Sequence, residues 1–120
     1  MHPFFKGFVF AFQGMRTLLK EERNARFHAF VTLLLLPLAC YYPISQVEWL
    51  FVILCIGLVF SAEAFNSALE RLANRIQADY DPLIGQAKDL AAAAVLIVSI
   101  ASAAIGLIIF TPHFLHTLGL

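Results

Sequence analysis

The chain has 120 residues, 61% of them hydrophobic, with no formal net charge when histidine is neutral, and a mean hydropathy of +0.82. A chain this short and this apolar could not keep a wet surface in water, so a soluble globular fold is excluded and lipid is the expected solvent. Neutrality also argues against nucleic acid as a partner, because binding phosphates requires a basic surplus to displace counterions.

A spanning helix takes roughly 20 mostly apolar residues, so residues 1–120 have room for one membrane domain of three spans and one short extra element. No small-residue cleavage site follows a compact apolar core in the first twelve residues, and no signal peptide is read there. Over residues 3–22, Phe5, Phe8, Phe12, Met15 and Leu19 recur at steps of three or four, with Lys6, Gln13, Arg16 and Lys20 on other faces. This pattern predicts an amphipathic helix too charged to span, lying in the headgroup layer with its apolar face down. The alternative is a helix packed on the protein's own bundle.

Span one is expected over residues 25–42. From Phe27 onward it is apolar apart from His28 and Thr32, and it ends in the interfacial pair Tyr41 and Tyr42 before Pro43. Pro37 is expected to kink it. His28 reads as an interfacial residue rather than a catalytic one. The short turn at Pro43 makes span two antiparallel. That span, residues 47–77, begins apolar and continues past the bilayer, since 58–81 contains neither Gly nor Pro and is rich in helix formers. Its lower half is two-faced: Glu63, Asn66, Ser67, Glu70, Arg71 and Asn74 share one side, and Ala64, Phe65, Ala68, Leu69, Leu72, Ala73 and Ile76 the other. Asp79 to Gly85 reads as a loop. Span three, residues 86–110, enters with Lys88 and Asp89, closes at Pro112 and carries small residues that permit close helix contacts. Cys40 and Cys55 have no metal-ligand spacing and read as packing residues.

All eight Lys and Arg lie on one side of the apolar parts of the spans, either up to Arg26 or from Arg71 to Lys88. The positive-inside rule therefore puts the N-terminus and the second connection in the cytoplasm, and the Pro43 turn and the C-terminus outside. Seven of the eight acidic residues fall on the same side, which charge sorting does not explain. Glu63, Asn66 and Glu70 stack at i, i+3 and i+7. Two carboxylates and an amide aimed at one volume suit Mg²⁺, and a carboxylate at the lipid edge suits a general base; from spacing alone the same face could equally be an Arg-paired amphipathic helix solvated in the cytosol. Lys88 could reach a phosphate, or it could anchor the span. Glu22 could complete a metal site, or it could belong to a surface charge run. No glycine loop of the P-loop or kinase type exists. A transporter subunit or a non-catalytic assembly protein is the alternative reading, although the centres of the spans hold no carboxylate.

The runs EAFNSALERLANRI (Glu63 to Ile76) and YDPLIGQAKDLAAAAV (Tyr80 to Val95), with weaker support from AFQGMR and ERNARFH, resemble the small prokaryotic diacylglycerol kinases and their undecaprenol kinase relatives. The resemblance covers most of the chain. It implies an ATP-dependent lipid kinase of the bacterial inner membrane, all-α, an interfacial helix plus three spans, assembled as a homotrimer with shared sites. By the same resemblance Glu63 is the catalytic base and Asn66 its helper, while Glu22 and Glu70 ligate Mg²⁺ with ATP. Lys88 and Asp89 bind nucleotide, Asp79, Tyr80 and Asp81 lie near it, and Arg16 contacts lipid. ERNARFH looks more like the undecaprenol branch. Asn74, where Asp is common, and Ala93, where many members have Gly, depart from the family pattern.

Overall fold

The computed structural model describes residues 2–76, 79 and 81–120. Helix α1 (Pro3–Glu21) starts behind His2, whose Nδ1 accepts from the Phe4 N–H at 3.1 Å, with Pro3 in the first turn where its missing donor costs nothing. It stops at Glu22, an extended residue that ends α1 and opens α2 (Arg23–Tyr41). Arg26 braces this corner, donating to the Lys20 carbonyl at 2.7 Å and placing a cation on the negative end of α1.

Past the Pro43 turn, Ser45 and Glu48 form a capping box. The Glu48 N–H donates to Ser45 Oγ at 3.1 Å and the Ser45 N–H to Glu48 Oε1 at 2.9 Å, and this starts α3 (Gln46–Ile76). Helix α4 (Pro82–Thr117) is started by Asp81, whose Oδ1 accepts from the Leu83 N–H at 2.9 Å. It therefore begins four residues before the expected 86, taking in Pro82 and Gly85, because a capped proline in the first turn favours a helix. It also runs through Pro112, since a proline removes one backbone bond and a membrane helix tolerates the loss.

Helices α2, α3 and α4 are long and apolar enough to cross a membrane. They leave large side chains bare: Phe30 is 60% exposed and Ile108 74%. In hydrocarbon that exposure costs nothing, but it also means that helices must associate through close contact rather than water exclusion. The contacts accordingly use small residues, with Ala25, Ala39 and Ala73 buried. The main pairing is α3 against α4, with α2 on α3. Ala39, Ile44, Val52 and Ile109 make a packed cluster at the end nearest the Pro43 turn, the turn end.

The 31 residues of α3 span roughly 46 Å at 1.5 Å per residue, against a hydrocarbon layer of about 30 Å. The helix therefore runs well beyond the layer at the opposite end, here called the basic end. There α1 packs on α3 through buried Leu18, framing an apolar cavity of about 340 Å³ between Gly14, Met15, Ala64 and Ala68. Phe4, Phe5, Phe8 and Phe12 stay exposed, so α1 meets the bundle near its end at Leu18 and leaves its phenylalanines bare.

Candidate active site at the basic end

Val52, Val59, Glu63 and Ser67 are the buried positions along one stripe of α3, spaced by four or seven residues as a single helix face requires. Glu63 lies 17 residues beyond Gln46, roughly 26 Å along the axis and thus near the far edge of the hydrocarbon layer. It is 2% exposed, the one charged residue among the buried ones described. An isolated carboxylate at such a depth costs several kcal/mol unless it is paired or fully hydrogen-bonded. Its neighbour is His28, with Nε2 3.3 Å from Glu63 Oε1. The contact is not aligned as a hydrogen bond, and Oε1 remains a buried acceptor with no donor. Buried polar atoms are rarely left in that condition, so this one calls for a functional explanation.

His28 reaches Glu63 because α2 turns Ala25, His28, Ala29, Thr32, Leu35 and Ala39 inward at steps of three and four. Ala25, fully buried, lets the helices approach one turn away. Sequence reasoning took His28 for an interfacial residue. The run around it is apolar on every side, so no periodicity reveals which way the histidine faces. The available signal was that a lone ionisable group at membrane depth needs a partner at the same depth.

One turn beyond Glu63, the Ser67 hydroxyl donates to Glu22 Oε1 at 2.8 Å and accepts from Arg71 Nε at 3.3 Å. Arg71 Nη2 donates to Glu21 Oε2 at 2.7 Å and to Glu22 Oε1 at 3.4 Å. Glu22 is free to make this contact because its side chain does not cap α2; standing at the α1–α2 corner, it reaches across to α3. The two carboxylates, Glu22 and Glu63, are near enough for their charges to repel. Ser67 and Arg71 had been read only as members of a polar face, and both hold Glu22 in place.

The other expected residues distribute around this centre. Asn66 is half-buried one turn from Glu63, and Glu70 is exposed one turn beyond Asn66. Lys88 Nζ donates to Asn74 Oδ1 at 2.7 Å, joining the first turns of α4 to α3; Asp89 beside it is exposed. Asn74 is 11 residues past Glu63, roughly 16 Å along the helix. Asp81 is occupied as the cap of α4 and Asp79 is exposed. Tyr80 lies outside the described residues. Arg16 is exposed on α1 and does not line the α1–α3 cavity.

Among the described residues no three His, Cys, Asp or Glu side chains gather as a metal site. Mg²⁺ often takes only one or two protein carboxylates, with phosphate oxygens and water completing its shell. Glu22 could take such a role through Oε2, since Ser67 and Arg71 engage its Oε1 and hold the carboxylate in place.

Residues 9–110 match the sequence profile of the prokaryotic diacylglycerol kinase family. The chain is 38% identical over 112 residues to the undecaprenol kinase of Bacillus subtilis, covering 93% of this chain and 91% of that one. It is 31% identical over 105 residues to the diacylglycerol kinase of Escherichia coli K12, covering 88% and 86%. To the diacylglycerol kinase of Haemophilus influenzae it is 32% identical over 88 residues, covering 73% and 75%. With its three apolar helices and its buried carboxylate at the basic end, the chain belongs to the prokaryotic diacylglycerol kinase family of membrane lipid kinases.

Proposed function

We propose that this protein transfers the γ-phosphate of Mg-ATP to the hydroxyl of a membrane lipid, with Glu63 as general base. The observation that carries the reading is the buried Glu63 Oε1 with no hydrogen-bond donor. A lipid alcohol arriving from the hydrocarbon layer would supply that donor. As its oxygen attacks the γ-phosphorus, the O–H bond breaks and Glu63 takes the proton, while the bond from the γ-phosphorus to the bridging oxygen of ATP breaks and ADP leaves. Asn66, one turn away, orients the base or the hydroxyl.

Phosphoryl transfer depends mainly on positioning and on neutralising charge. Glu22 and Glu70 would hold Mg²⁺, which when bound offsets the charge of the phosphates. Lys88 of α4, held by Asn74 on the extension of α3, would give the nucleotide a point charge at a distance from Glu63 that an extended nucleoside triphosphate covers. Asp89, Asp79 and Asp81 would border that region, and Arg16 on α1 would meet a lipid headgroup. Glu22 comes from the α1–α2 corner, Glu63 and Glu70 from α3, and Lys88 from α4. A homotrimer with sites at subunit boundaries would bring these groups together from neighbouring copies.

The distribution of Lys and Arg supports the N-terminus and the site in the cytoplasm and the C-terminus outside, and the bacterial relatives support the bacterial inner membrane. Undecaprenol is the favoured acceptor, because the undecaprenol kinase relative is 38% identical and the diacylglycerol kinase relatives 31–32%.

The test is to supply purified protein in bilayers with undecaprenol or diacylglycerol, with and without Mg-ATP. ATP-dependent phosphorylation of undecaprenol in preference to diacylglycerol is expected. The reverse preference would move the acceptor to diacylglycerol, and no phosphorylated lipid from either would overturn the kinase reading.

A further inference from the structure

We propose that His28 is a positioning residue for this reaction, holding Glu63 toward the lipid hydroxyl and then carrying its proton out to water. The inference rests on Glu63 being the base. A base that keeps the proton of the acceptor hydroxyl stays a neutral acid and cannot serve the next turnover. The Glu63 side chain is 3% exposed, which nearly closes the direct route to solvent, whereas the His28 side chain, 3.3 Å away, is 20% exposed. It is the ionisable group that both touches Glu63 and opens to the outside of the bundle, five residues from the start of α2 at the basic end. The other group bearing on Glu63 is the Glu22 carboxylate. Among the described residues no ionisable side chain of α1 or α4 forms an ion pair with Glu63 or His28.

Imidazole takes up and gives away protons readily between pH 5 and 8. In the return step the O–H bond of protonated Glu63 breaks, and an N–H bond forms at Nε2 of a neutral His28 whose other proton is on Nδ1. The imidazolium then gives a proton to water and is neutral again, and no other reactant is needed. The Thr32 hydroxyl donates to the His28 backbone carbonyl at 2.8 Å rather than to the ring, and among the described residues the ring nitrogens make no aligned hydrogen bond that would compete with this step. A side chain serving packing alone would be small or apolar here, as Ala25 and Ala39 on the same stripe are.

The experiment compares wild type, H28A, H28Q and E63Q in bilayers, reading kcat, the KM for Mg-ATP and the response to added imidazole. Helix content and oligomer size are checked for each protein. H28A is expected to lose about tenfold or more in kcat with the KM for Mg-ATP within about twofold of wild type. Imidazole should restore much of the loss in H28A and none in E63Q. H28Q should stay impaired, because an amide can hold a carboxylate but cannot carry its proton. If H28A fails to fold, H28Q carries the test. Wild-type turnover in either His28 variant, or a loss in folded H28A that imidazole does not repair, overturns the proposal. Wild-type turnover in E63Q would instead overturn the assignment of the base, so the two failures are told apart.

Discussion

Each end of the helix bundle holds one glutamate beside one histidine, and the two pairs are finished differently. At the turn end, Glu48 Oε1 accepts from the Ser45 N–H at 2.9 Å, and Oε2 lies 3.7 Å from His113 Nε2, whose ring stacks on Tyr42. Both oxygens are used, and the product is a helix cap fastened to α4. At the basic end, Glu63 is more deeply buried, and its Oε1 has only an unaligned histidine beside it. The same two side chains thus make a fastening in one place and an unfilled acceptor in the other. What separates them is whether the local backbone supplies a donor. Ser45 precedes a helix and offers a free N–H, whereas Glu63 lies mid-helix where every N–H is already bonded within the helix.

That contrast can be broken by substitutions around the two pairs. Apart from Glu63 itself, the largest effect should come from Glu22→Gln and Glu70→Gln, each expected to lower turnover by at least about tenfold and to raise the Mg²⁺ concentration needed for half-maximal rate. Unchanged Mg²⁺ dependence in both would remove them from metal binding. Asn74→Ala should cost one hydrogen bond to Lys88, about 1 kcal/mol. The effect to look for is a roughly fivefold higher KM for Mg-ATP at nearly unchanged kcat, measured by varying ATP. An unaltered KM would show that the tether does not serve nucleotide binding. Glu48→Ala at the turn end should lower stability by about 1 kcal/mol, as loss of a capping box does, and leave kcat alone. Denaturation in detergent alongside a turnover assay would check this, and a matching loss of kcat would break the distinction between the ends. The smallest effect is expected from Arg16→Ala, where an exposed side chain on α1 should alter only the KM for lipid.

Much of this arrangement was legible in the sequence. Composition and apolar run length fixed the three spans, and the polar face of α3 marked Glu63, Asn66 and Glu70, because a charged side chain in a two-faced helix stands out against apolar neighbours. Lys88 was expected beside that face once the helices were read as antiparallel, and its bond to Asn74 agrees. The inward turn of His28 was hidden by an apolar run with no face of its own. The Glu22–Ser67–Arg71 network was hidden for another reason. It joins residues 45 to 49 positions apart, and which of several polar groups will meet across helices depends on packing angles that spacing within one helix does not encode. The ends of α4 were misjudged because Pro82 and Pro112 look like breaks, although the first is a good helix start and the second a tolerated interruption.

The most direct test of the account is Glu63→Gln measured beside Glu48→Ala, with Mg-ATP-dependent lipid phosphorylation and thermal unfolding followed on the same preparations. Glu63→Gln is predicted to keep its helix content and unfolding temperature while turnover falls at least about 100-fold, and Glu48→Ala to keep its turnover while unfolding earlier. Undiminished turnover in Glu63→Gln, or an equal loss of activity in both, would contradict it.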